Sequence, residues 1–100
     1  DSARQHAAAE LRADIESTPL PGQPGVIDDC KALARLMLAT VDAEPELMRL
    51  PRLARYDAIM SATRRRCPEY AEWLRTPSGF MIGSAVRAVL RVHHINPDAP

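Results

Sequence analysis

Proline divides this chain into its structural segments. The nine prolines stand at 19, 21, 24, 45, 51, 68, 77, 97 and 100, and the stretches between them are rich in Ala and Leu. A proline inside a helix removes a hydrogen bond and clashes with the preceding turn, so helices must lie between these positions. Ala and Leu are strong helix formers, and no stretch alternates apolar and polar residues with the period of a strand. The pattern predicts an all-α fold in one domain: an irregular bundle of four to five short helices with proline-punctuated connections.

The first helix is expected over residues 3–17, with Ser2 as N-cap and Ala8, Leu11 and Ile15 on one face. Residues 18–25 hold three prolines and two glycines and form a linker, behind which the first helix could swing or pack on another molecule. A helical core is expected over 26–95. Its first helix starts near Val26 or Ile27, with Asp28 and Asp29 favoured by the dipole, and ends at Asp42. There Cys30, Leu33, Met37 and Val41 recur at three- and four-residue steps. Ala32, Ala34, Leu36, Leu38 and Ala39 widen that stripe, as in a helix at the middle of a bundle. Residues 46–50 read as a short turn. Pro51 opens a third helix reaching Arg66, with a heptad-like seam of Leu53, Tyr56, Met60, Thr63 and Cys67. Pro68 opens a fourth, whose apolar side is Tyr70, Trp73 and Leu74. Ser78 caps a fifth over 79–93, with Ser84, Arg87, Arg91 and His94 as its polar face. Phe80, Ile82, Val86, Val89 and Val92 are expected to face inward. Residues 96–100 form a tail.

The two cysteines carry the sharpest expectation. A short connection should make the second and third helices antiparallel, placing Cys30, at the start of one, beside Cys67, at the end of the other. A Cys30–Cys67 disulfide would then close a loop of about 37 residues and stabilise the fold by about 3–4 kcal/mol. The alternative is two buried thiols acting as small hydrophobes. A disulfide implies an exported, extracytoplasmic protein; reduced thiols imply a cytoplasmic one. The chain starts Asp1-Ser2-Ala3 without Met, as a mature chain left by signal cleavage or a trimmed chain would. Phe80–Leu90, the longest apolar stretch, is interrupted by Arg87 and is too short to span a bilayer.

Formal net charge is zero, against a dedicated polyanion binder, but the charge is divided. Residues 1–50 hold five basic and nine acidic side chains, and residues 51–100 hold eight and four. Lys31 is the only lysine among thirteen basic residues, a codon signature of a GC-rich bacterial or phage genome. Arg64-Arg65-Arg66 is the densest charge, and Arg87 and Arg91 could extend it into a surface for anions or a partner. The same triplet suits the last turn of a helix, where cations stabilise free carbonyls. No helix-turn-helix or zinc-finger pattern accompanies it, so nucleic acid is an allowed but not a favoured partner.

Tyr56, Met60, Trp73 and Phe80 are candidates for a ligand pocket, and Tyr56, Met60, His93 and His94 could each ligate a haem. Cys30, the segment Asp42-Ala43-Glu44-Pro45-Glu46 and Cys67 resemble the two-cysteine, secreted helical haem carriers of mycobacteria, over about a third of the chain. The cysteine spacing is shorter than in that family, so no residue role is carried over. His93, His94 and Asp98 invite a metal, but adjacent helical residues point about 100° apart and rarely share one ion, and the two cysteines offer no ligand-pair spacing. No metal and no cofactor is expected. Trp73, with Tyr70, Leu74 and Phe80, could be an exposed anchor or a core plug. Leu11-Arg12-Ala13-Asp14-Ile15 resembles the opening of chorismate mutases. That family's cationic ligands do not follow, and the linker breaks the long first helix its fold requires. Phosphate loops, nucleophile elbows and His-Glu-x-x-His are absent from the sequence. The expectation is a small, exported, non-enzymatic helical module that binds another protein chain or itself. A small-ligand or haem carrier, and a nucleic-acid-binding accessory or phage-type regulator using Arg64–Arg66, stand as alternatives.

Overall fold

The structure is a computed structural model that describes residues 2–95. Four α-helices carry it: α1 (Ser2–Glu16), α2 (Cys30–Ala43), α3 (Arg52–Arg66) and α4 (Gly79–Val92). Short 3₁₀ turns at Pro45–Arg49, Pro68–Tyr70 and Trp73–Arg75 connect them, and no strand occurs among the described residues. The radius of gyration, 12.9 Å, is that of a folded chain of this length. The expected tail, 96–100, and Asp98 with it, lies outside the described residues.

α2 is the centre because it is apolar nearly all round. Leu33, Met37 and Val41 are fully buried, flanked by Ala32, Ala34, Leu36 and Leu38. The helix packs most extensively on α4 and touches α1 and α3 as well. Ala39 is exposed, so the apolar stripe stops short of it. α2 begins at Cys30, three to four residues later than expected. Asp29 holds an extended backbone there and accepts from the Lys31 N–H at 3.1 Å. Such a cap contributes about 1 kcal/mol and fixes the start. Ile27, just outside, is buried and anchors the incoming strand of linker.

The linker is tied down at three points. The Thr18 carbonyl accepts from Arg35 Nη1 at 2.7 Å. Gly25 has φ of +84°, and a Cβ there would sit 3.0 Å from the Glu69 carbonyl oxygen, so glycine is required twice over. Ile27 is the third. α1 itself docks through Ala8 and Ile15, with Leu11 packed against them. It starts at Ser2 rather than after it, so Ser2 is no N-cap.

The fourth predicted helix is two 3₁₀ turns instead. Pro68 and Pro77 leave room for only about two turns, too few to offset helix nucleation, and burial of Tyr70 and Leu74 fixes the segment. α3 buries Met60 and Thr63 of the expected seam and packs Tyr56 and Cys67 on the core, but its buried face is rotated enough to leave Leu53 outside. Arg55, Ile59, Met60, Ala62 and Thr63 are its buried residues, and Leu53 is 79% exposed. Phe80 of α4 is 81% exposed, because it shares its helical face with Arg87 and Arg91. Ile82 is half-buried, while Val86, Val89 and Val92 point inward as expected.

The Cys30–Cys67 bridge is not supported: both thiols are free, and no cysteine pair lies at disulfide distance. The reason is the direction of α3. Arg65, in its last turn, pairs with Glu44 at the C-cap of α2 (3.4 Å). The end of α3 therefore lies by the end of α2, and Cys30 begins a helix of 14 residues, about 20 Å long.

α4 ends in a Schellman motif. The His94 N–H donates to Arg91 O at 3.1 Å and the Ile95 N–H to Leu90 O at 2.9 Å. His94 adopts the left-handed conformation this requires (φ 60°), and Ile95 packs on the core.

Candidate functional site

Two clefts among the described residues frame the candidate site. The first lies between α3 and α4, has a volume of about 310 Å³, and is lined by Arg52, Leu53, Tyr56 and Arg87. Arg52 and Tyr56 are one helical turn apart on α3, and Arg87 reaches in from α4. Phe80 stands on the same face of α4 as Arg87, seven residues earlier, or about 10 Å along the axis. Leu53 and Phe80 are by far the most exposed large apolar side chains of the described residues. The cleft thus joins an exposed apolar side chain, Leu53, to two arginines, and Phe80 is exposed on the α4 face that leads to it.

Its charge is unbalanced. α3 and α4 together carry seven arginines and one carboxylate, Asp57. Arg52 and Arg87 make no ion pair among the described residues. Arg52 also stands in the first turn of α3, which holds no acidic residue, so its charge adds to the positive end of the helix dipole. Behind this surface, Arg55 is only 6% exposed. Its Nε and Nη2 donate to the Leu50 carbonyl at 3.2 and 3.0 Å, tying the Pro45–Arg49 turn to α3, while its buried Nη1 has no partner.

The second cleft, about 240 Å³, lies between α1 and α2 and is lined by Glu16, Arg35, Leu38, Ala39 and Asp42. Asp42 is the hub of its charges. Arg12 donates to both its carboxylate oxygens and to Glu16 Oε1 at 2.7 Å, and Asp42 holds the Arg12 guanidinium pKa above its ordinary value. His93 Nε2 lies 3.6 Å from Asp42 Oδ1, too far to be a hydrogen bond. Burial pushes the His93 pKa below the ordinary imidazole value, with Asp42 opposing and Arg12 and His94 reinforcing that shift. Lys31 pairs with Asp14 at 2.8 Å, which raises its pKa. The Arg12 and Lys31 pairs join α1 to α2, and Asp42 of α2 faces His93 at the end of α4.

The residues singled out from sequence are scattered over the molecule. Arg64 donates to the Ser61 hydroxyl at 3.2 Å, Arg65 pairs with Glu44, and Arg66 is exposed at the helix end. All three occupy the last turn of α3, where they complement its dipole. Arg87 and Arg91 are exposed along α4. Of the four ligand-pocket candidates, Tyr56 lines the first cleft, Met60 is in the core, and Trp73 is half-buried against the core. Phe80 projects to solvent, so the four do not share a cavity. His6 pairs with Glu10 at 3.0 Å on the exposed side of α1. His94 serves as the helix stop and His93 faces Asp42, so the two diverge. Cys30 is half-exposed, and Cys67 packs against the core, where burial raises its thiol pKa. Among the described residues no group of three or more His, Cys, Asp or Glu is placed to hold a metal ion. None of their helices is long and apolar enough to cross a membrane.

Sequence reasoning missed Arg52 and the exposure of Leu53, and it missed the Arg12–Asp42–His93 cluster. For α3 a signal existed: positions 55, 59, 62 and 63 fall at i, i+4, i+7 and i+8, a core face that leaves Leu53 outside. For the cluster there was none, because its members are far apart in the chain. Comparison with protein-family models, curated proteins and solved structures yields no match.

Proposed function

We propose that this chain is a non-enzymatic helical module that binds another protein through the α3–α4 surface. One observation carries the reading: of the two large apolar side chains most exposed to water, Leu53 lines the α3–α4 cleft and Phe80 stands on the α4 face that carries Arg87 to it. Exposed apolar side chains gathered around a recess, with aromatic and arginine neighbours, are the composition of a docking hot spot. Singly scattered ones would need no explanation. The expectation of export rested largely on the disulfide, and with both thiols free that support is withdrawn.

The test is a photo-reactive benzophenone side chain placed at Leu53, at Phe80 and, as control, at exposed Gln5 in the cell that makes the protein. Irradiation should attach a discrete protein chain at positions 53 and 80 and nothing at 5. Labelling at 53 and 80 no greater than at the control overturns the proposal.

A further inference from the structure

We infer that the partner segment is an acidic amphipathic helix, with apolar residues for the Leu53–Tyr56 cleft and for Phe80, and carboxylates for Arg52 and Arg87. The inference rests on the docking reading above and deepens it by naming the partner's chemistry.

Two observations carry it. The first is spacing. Phe80 and Arg87 lie seven residues apart on α4, about 10 Å, and Arg87 borders the cleft that holds Leu53. Apolar anchors at i, i+3 or i+4, and i+7 of a bound helix span the same 10 Å, so a helix laid along α4 from Phe80 arrives at Arg87 and the cleft it borders. The second is charge. Arg52 and Arg87 have no ion-pair partner among the described residues, and Asp57 is the one carboxylate on either helix. A basic partner would meet like charge at the cleft rim, and a neutral one would bury guanidinium groups without compensation. A carboxylate matches the fork of each guanidinium and suppresses wrong partners.

The experiment selects displayed random peptides of about fifteen residues on the full-length protein. Enriched peptides are then measured by fluorescence anisotropy, each beside an analogue with every Asp and Glu changed to the amide. The expected winners carry acidic residues beside apolar ones at helical spacing. Their amide analogues should bind about tenfold more weakly, and the difference should vanish in Arg52→Gln/Arg87→Gln protein and at high salt. Circular dichroism should show that variant folded, since both side chains are exposed.

Winners without acidic bias, or indifferent to the arginine changes, overturn the inference. The docking reading then survives if Leu53→Ser and Phe80→Ser abolish their binding. If no winner depends on Leu53 or Phe80, both readings fall. Duplex DNA or phosphatidylglycerol vesicles that bind through Arg52 and Arg87 and displace the peptides also overturn it, in favour of a phosphate surface.

Discussion

Replacing His94 with glycine should stabilise the fold. His94 holds φ of 60° at the residue after the α4 cap, with the paired hydrogen bonds of a Schellman motif closing over it. The left-handed conformation costs an L-residue about 1–2 kcal/mol, and glycine is free of that cost. Glycine gives back about 0.4–1 kcal/mol through the greater freedom of its unfolded chain. The net gain is about 0.5–1 kcal/mol, which for a 100-residue chain raises the thermal midpoint by about 2–8 °C. The assay is far-UV circular dichroism melting of all variants in one buffer. His94→Ala keeps the strain and should melt close to the parent. His94→Val adds a β-branch to the same backbone and should lose about 1 kcal/mol. A His94→Gly protein that melts below the parent, or an alanine variant that gains as much as glycine, would refute the argument.

The half-buried His93 should make stability depend on pH. Its folded-state pKa is lowered, chiefly by burial, so the unfolded chain takes up the proton first. Stability is therefore complete above about pH 6.5 and declines as pH falls through the lowered folded-state value. Urea midpoints across that range should fall in the parent and fall less in His93→Gln; parallel curves would exclude the mechanism. Ile15→Ala, which empties a fully buried site under α1, should cost about 2–4 kcal/mol and speed amide exchange in Ser2–Glu16. Arg12→Ala should cost less than about 1 kcal/mol, since its ion pairs are largely exposed, and a larger loss would mean that Asp42 depends on them. Both cysteines should alkylate in denaturant without prior reduction, with Cys30 reacting faster than Cys67 in the native protein; protection that only reduction removes would restore the disulfide.

Much of this architecture is written in strong local patterns. The apolar girth of α2, the Ser78 cap of α4 and the proline-rich break before α2 follow from helix chemistry and periodicity, whereas Asp29, expected as a dipole partner inside α2, is its cap. The reading failed where identity was taken for burial. Leu53 and Phe80 are apolar and sit in stripes that predict an inward face, with an exposed anchor as the alternative for Phe80, yet each lies on the outer face of its helix. Arg55 is charged and was overlooked, yet its aliphatic stem lies in the core with its head on the Leu50 carbonyl. It also failed where geometry was assumed from a short connection. The Pro45–Arg49 turn redirects the chain so that Arg65 meets Glu44, and the expected meeting of Cys30 with Cys67 is lost. The Asp42 cluster draws on residues 12, 42 and 93, which only the assembled fold brings together.

The central claim is that Leu53 and Phe80 are displayed for a partner rather than placed for the core. The measurement that tests it most directly is binding of the partner captured by cross-linking to the double variant Leu53→Ser/Phe80→Ser, with its melting recorded on the same sample. Both side chains are largely in water, so the variant should melt within a few degrees of the parent while binding falls below detection. Undiminished binding, or a destabilisation of several kcal/mol such as a core truncation produces, would contradict the account.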